Sequence, residues 1–177
     1  MTGVMRKSIF IGLFTFGVLL YFAGSGSAIS DSNKSIQLTV FSLGANGEIT
    51  TDQNEVIEGG ESYKGQYSGN DSWNEYLYSI PELLPLSPLT KYTVTFDYKI
   101  LETPDRGFET LFYSPIGGSQ NDWLPGQVFT GKQGDSGRIT LTNTLANYDD
   151  YQIRWNIIGR GAISIDNIEI TNMDNVS

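Results

Sequence analysis

Hydrophobic and polar residues alternate one for one along two segments of this chain. In Tyr92–Ile100, the residues Tyr92, Val94, Phe96, Tyr98 and Ile100 fall on one side, with Thr93, Thr95, Asp97 and Lys99 on the other. In Tyr151–Ile157, Tyr151, Ile153, Trp155 and Ile157 oppose Gln152, Arg154 and Asn156. A period of two marks a strand with one face in a core and the other in solvent. Weaker alternation predicts strands over Gly107–Tyr113 and Arg138–Leu145, and apolar content predicts earlier ones over Ile36–Leu43 and Glu55–Tyr63. Gly59-Gly60, Pro88, Pro104-Asp105-Arg106-Gly107, Gly117-Gly118 and Gly134–Gly137 separate them as turns. A brief helical turn fits Ser79–Leu84, opened by Pro81 and closed by Pro85.

Many short strands with turns between them, in a chain of this size, predict an all-β fold: a two-layer antiparallel β-sandwich. Its core is expected around Tyr92, Val94, Phe96, Tyr98, Ile153, Trp155, Ile163 and Ile165, since each large side chain buried contributes about 1.5–3 kcal/mol. In the last strand the apolar phase slips, with Ile163 and Ile165 odd but Ile168 and Ile170 even. A bulge near Asp166-Asn167 accounts for the slip, because one extra residue exchanges the faces. A strand covered on both faces accounts for it equally.

The amino terminus reads as an export address. Arg6 and Lys7 precede an apolar run from Ile9 to Ala23, and small residues follow, with a cleavage pattern at Gly26-Ser27-Ala28. The run is shorter than the roughly 20 residues that span a bilayer. Residues 1–28 are therefore expected to be a signal peptide and residues 29–177 a single β-sandwich domain, secreted or at the cell surface, with no stable membrane span after processing. The chain carries 11 basic and 20 acidic residues; losing Arg6 and Lys7 leaves 9 against 20, a net −11. Such a domain repels phosphates and is expected to bind no nucleic acid. With no Cys and no His, it has no disulfide, and neither zinc sites nor Ser-His or Cys-His catalysis can be built from it. The nearest acidic clusters, Glu58 with Glu61 and Glu75 with Asp71, show no catalytic spacing, and there is no P-loop or nucleophile elbow. The expectation is a protein that is not an enzyme.

Four pieces, GGESYKG at Gly59–Gly65, LSPLTKYTVTFDYKI at Leu86–Ile100, YQIRWNI at Tyr151–Ile157 and GAISIDNIEI at Gly161–Ile170, occur in an order that resembles the galactose-binding-like β-sandwich (jelly-roll) superfamily. Within it the chain looks like the secreted carbohydrate-binding modules attached to bacterial glycanases. The resemblance implies a non-catalytic sugar-binding module, with a polysaccharide or oligosaccharide as partner; the net charge favours a neutral glycan. It implies two alternative sugar sites. On the solvent face of the concave sheet the candidates are Gln152, Arg154 and Asn156, joined by Asp97 and Lys99 if their strand lies nearby. On the loop rim the candidate is Trp123 in SPIGGSQNDWLPG, with Trp73 in SGNDSWNEY as a second. Aromatic rings of this kind stack on sugar C–H faces, or fold back to cap a core. The resemblance also implies a structural calcium ion, with Asp166 as the leading ligand and Glu58 or Glu61 as a second carboxylate; the alternative for Asp166 is a turn cap. The alternative for the whole domain is a structural or protein-binding extracellular sandwich with a protein partner; a glycoside hydrolase or lyase stands behind both.

Overall fold

The computed structural model describes residues 40–116 and 126–175. The signal-peptide expectation, the start of the Ile36–Leu43 strand and Trp123 lie outside the described residues. Among those described, ten strands form two antiparallel five-stranded sheets. In chain order they are β1 (Phe41–Leu43), β2 (Gly47–Thr50), β3 (Ser62–Tyr67), β4 (Asn74–Ser79), β5 (Lys91–Glu102), β6 (Gly107–Tyr113), β7 (Gln127–Phe129), β8 (Ser136–Thr144), β9 (Gln152–Ile158) and β10 (Gly161–Asn172). Sheet A has the order β1-β4-β9-β6-β7, and sheet B the order β2-β3-β10-β5-β8. The expected sandwich is what forms. No helix among the described residues is long and apolar enough to cross a membrane.

The alternating segments become the central strands. β9 lies between β4 and β6, and β5 between β10 and β8. Val94, Phe96, Ile100, Ile153, Trp155, Ile157, Ile163 and Ile165 are all buried in one cluster. Trp155 of sheet A meets Phe96 of sheet B edge-on, with centroids 5.9 Å apart, and Phe41 in the same way at 5.6 Å. Tyr98 departs from the expectation. It is only half-buried, packed 5.0 Å from Phe129 at the β7 side of the core.

Two bulges decide which residues share a face. In β10 the pairing with β5 shifts between Asp166 and Glu169, and Asn167 takes a left-handed φ of 50°. Ile165 and Ile170 both reach the core across it, as the phase slip in the sequence required. The second bulge, in β4, had not been expected. Glu75 pairs with Asn156 and Leu77 with Trp155, leaving Tyr76 as the extra residue. Tyr76 is buried, and Gly65 and Gly47 make room for it. A Cβ at Gly65 would lie 2.4 Å from its ring, and one at Gly47 would lie 1.9 Å from its carbonyl oxygen. Tyr76 and Tyr78 therefore do not share a face as simple alternation suggests.

One local expectation fails and another holds. Glu55–Tyr63 is not a strand: β3 starts only at Ser62, and residues 51–61 form a loop tied to the outer face of sheet B. Their side chains serve that loop's polar contacts instead of a ladder. Ser79–Leu84 makes the expected single helical turn: the N–H groups of Leu84 and Leu83 both donate to the Ile80 carbonyl, four and three residues back.

Candidate functional site

The outer face of sheet A gathers polar side chains from three adjacent strands. Gln152, Arg154 and Asn156 come from β9 by alternation, since Ile153, Trp155 and Ile157 point inward. Directly paired residues in neighbouring strands share a face. Tyr78 of β4 and Leu111 of β6 thus flank Arg154, Glu75 and Glu109 flank Asn156, and Tyr113 sits beside Gln152. The β4 bulge is what turns both Glu75 and Tyr78 to this side.

Arg154 is held from three directions. Its Nε–H and Nη2–H both donate to Gln152 Oε1, at 3.0 and 2.7 Å. Its guanidinium carbon lies 3.7 Å from the centroid of the Tyr113 ring, a cation–π stack. Glu75 Oε2 approaches Nε at 3.1 Å. That contact is an ion pair by distance only, because the Nε hydrogen is directed at Gln152 and Glu75 Oε2 receives no hydrogen bond. Burial raises the Glu75 pKa above the ordinary carboxylate value, and the Arg154 charge only partly opposes the rise. Asn156 Nδ2 donates to Glu109 Oε2 at 3.3 Å, and both residues are buried. The result is a preset row of planar groups, with one cation locked between acceptors and against an aromatic ring.

The structure brings the three predicted face residues together and adds Glu75, Tyr78, Glu109 and Tyr113, which sequence reasoning had not placed there. A signal existed for Glu109 and Tyr113, which alternate with Phe108 and Phe112 in β6. None existed for Glu75 with Tyr78, since residues three apart share a strand face only across a bulge. Trp73 immediately precedes β4, and its side chain is 57% exposed. Beside it, Tyr67 donates to Asp71 and Asn74 donates to the Asp71 carbonyl. Asp97 and Lys99 do not join this site. They belong to β5 in the other sheet, where Asp97 Oδ2 accepts from Asn167, Asp97 Oδ1 pairs with Arg138, and Lys99 donates to the Asn54 carbonyl.

The three residues expected around calcium divide. Asp166 is buried: its Oδ2 accepts from Ser62 Oγ at 3.0 Å and its Oδ1 from the Asn167 N–H at 2.9 Å. Glu58 accepts from the Asn167 side chain instead. Asp166 and Glu61 both act on the buried Tyr63 phenol; burial first, and then their charges, push its pKa up, and its hydroxyl has no hydrogen-bond partner. Among the described residues no three carboxylates cluster as a cation cage.

No family model and no curated protein sequence matches the chain. Solved structures do. A CBM22-1 xylan-binding domain from Paenibacillus barcinonensis Xyn10C superposes with TM-score 0.60 at 10% identity, over 85% of this chain and 97% of that one. A family 16 carbohydrate-binding module gives 0.52 at 12%, over 72% and 86%. The CBM22-1–GH10 modules of Clostridium thermocellum xylanase 10B, complexed with xylohexaose, give 0.54 at 16%, over 78% and 26%. The chain shares a two-layer β-sandwich fold with these carbohydrate-binding modules. At these identities the likeness is one of fold.

Proposed function

We propose that this chain is a non-catalytic carbohydrate-binding module and that the outer face of sheet A is its sugar site. The observation that carries the reading is Arg154, fixed by Gln152 and Glu75 against the Tyr113 ring. A sugar offers hydroxyls that both donate and accept, together with apolar C–H faces. The row answers with donors at Arg154, an acceptor at Gln152 and rings at Tyr78 and Tyr113, backed by the buried pair Glu109 and Asn156. Because these groups are already ordered, little conformational entropy is lost on binding. Two carboxylates stand here against one guanidinium, so the face favours a neutral glycan over a uronic polymer. The structural neighbours named as xylan-binding support the class of ligand. Exposed Trp73 and the Trp123 loop are alternative platforms at the rim.

A glycan array followed by titration of the hit tests this. Arg154→Ala is expected to weaken binding about ten-fold or more, roughly 1.4 kcal/mol, without changing the melting temperature by more than a few degrees. If Trp123→Ala weakens binding and Arg154→Ala does not, the site is the rim. If a folded domain binds no glycan, the reading passes to a protein-binding extracellular domain. A structural calcium beside Asp166 and Glu61 belongs to the same proposal, supported by the unpartnered Tyr63 hydroxyl near these two carboxylates. An identical melting transition in calcium and in chelator removes it. Export with cleavage at about Ala28 is checked by amino-terminal sequencing of secreted protein.

A further inference from the structure

The four edge strands among the described residues are unequal. β1 and β7 have 3 residues and β2 has 4, whereas β8 has 9. Long bare edges invite another strand, and proteins guard them with prolines, bulges or charges that project from the edge. β8, of sequence SGRITLTNT, has no proline, and its pairing with β5 runs without a register shift from Lys91↔Thr144 to Lys99↔Ser136. Its one charge, Arg138, is drawn over the sheet face by Asp97 at 3.3 Å and Glu169 at 2.9 Å.

The ladder shows which backbone groups have no partner among the described residues. Just beyond its two ends, the Leu145 N–H donates to the Thr90 carbonyl and the Ile100 N–H to the Asp135 carbonyl. In an antiparallel pair, hydrogen-bonded residues alternate with residues whose N–H and C=O point away. Gly137, Ile139, Leu141 and Asn143 therefore bond β5. Ser136, Arg138, Thr140, Thr142 and Thr144 turn their backbone groups to the open edge. Thr140, Thr142 and Thr144 are exposed.

We propose that β8 pairs with β8 of a second copy of this chain about a two-fold axis at Thr140. The strand is its own complement. Thr140 is the centre of Ser136–Thr144, so antiparallel pairing there sets Arg138 opposite Thr142 and Ser136 opposite Thr144. Every outward-facing residue then meets another outward-facing residue. Half-buried Ile139 comes to lie beside Leu141 of the partner subunit. Moving the axis to Arg138 would shorten the ladder and set two guanidinium groups face to face, which disfavours that register. The contact is isologous and closes at a dimer.

The axis stands perpendicular to the sheet, so both copies of sheet B merge into one ten-stranded sheet and both copies of sheet A lie on the same side. On the reading of sheet A as the sugar face, the dimer presents two sites on one side, opposite in direction, to a surface of glycan chains, and the second site binds at high effective concentration.

Sedimentation equilibrium of the isolated chain over a concentration series is expected to show monomer and dimer. Thr140→Lys and Thr140→Glu place like charges together at the axis. Each is expected to weaken the dimer several-fold while leaving the melting temperature unchanged, and an equal mixture of the two is expected to restore association. A monomer at every concentration overturns the proposal, as does a dimer indifferent to both substitutions or a mixture no tighter than either variant alone. Glycan titration is read separately: a dimer that responds to Thr140 and binds no sugar upholds the edge pairing and removes only the sugar reading.

Discussion

The two outer faces of the sandwich start from the same strand alternation and end with opposite electrostatics. On sheet B most polar groups are matched, the buried Ser164 Oγ being an exception, and the loop 51–61 partly roofs them. Lys64 lies between Glu55 at 2.9 Å and Glu48 at 3.1 Å, Ser62 donates to Asp166, and Asn167 donates to both Glu58 and Asp97. On sheet A, Glu109, Leu111 and Asn156 are buried, while Glu75, Tyr78, Tyr113, Gln152 and Arg154 are partly exposed. Arg154 is over-held, and the Glu75 Oε2 beside it is a buried oxygen that nothing donates to. On the first face Glu55 is stabilised as a charge. Hydrogen bonding from Lys64 lowers the Glu55 pKa, whereas burial raises that of Glu75. Sheet B ties its loop down through ion pairs, whereas sheet A holds its cation beside part-exposed rings, the groups that a ligand can reach.

The largest test lies beneath both faces. Phe96→Ala is expected to cost about 3–5 kcal/mol, because Phe96 is fully buried against Trp155, which underlies the sugar row. Out of a typical total of about 5–15 kcal/mol, and with no disulfide, that loss should abolish ligand binding and loop protection together in a thermal melt followed by hydrogen exchange. A melt matching the parent would show that the two sheets do not depend on this contact.

Asp166→Ala separates the faces. It leaves Ser62 Oγ without its acceptor under the loop, for which about 1–3 kcal/mol of stability is expected to be lost. Glycan affinity of the folded fraction should stay within two-fold of the parent, by the rule that distant sites act independently. Loss of affinity equal to that of Arg154→Ala would mean that the two faces are coupled through the core.

The smallest effect is in the pH dependence of stability, and its sign differs between the faces. Glu75 holds its proton in the fold to a higher pH than in the unfolded chain. Its contribution to stability is thus greatest at low pH and falls as pH rises from the ordinary value of 4.5 through the raised one. Glu55 is depressed, so its contribution is present above 4.5 and is lost as pH falls through the lowered value. Glu75→Gln should therefore gain on the parent as pH rises, and Glu55→Gln should fall behind it. Denaturant titrations from pH 3 to 7 read both slopes, and slopes of equal sign would erase the distinction.

Much of the fold was legible because it rests on a local rule. Side-chain alternation in Tyr92–Ile100 and Tyr151–Ile157 is enforced by the pleat itself, so those segments declared their faces, their core residues and their central place. The slip between Ile165 and Ile168 announced a bulge for the same reason. Gln152, Arg154 and Asn156 were readable as one outward set, since they are neighbours on one strand. Strand pairing was not readable, because it is made by residues far apart in sequence. Only the tertiary structure set Glu75 and Glu109 on either side of Asn156, put Asp97 and Lys99 on the opposite sheet, and left Asn167 rather than Asp166 to hold Glu58. The β4 bulge was hidden too: Tyr76 and Leu77 are both apolar and both buried, and whether such a pair is a bulge depends on the space that Gly65 and Gly47 leave on other strands. Composition determined what chemistry this chain lacks, with no His and no Cys. Which of its many carboxylates face one another was settled by the packing of the two sheets.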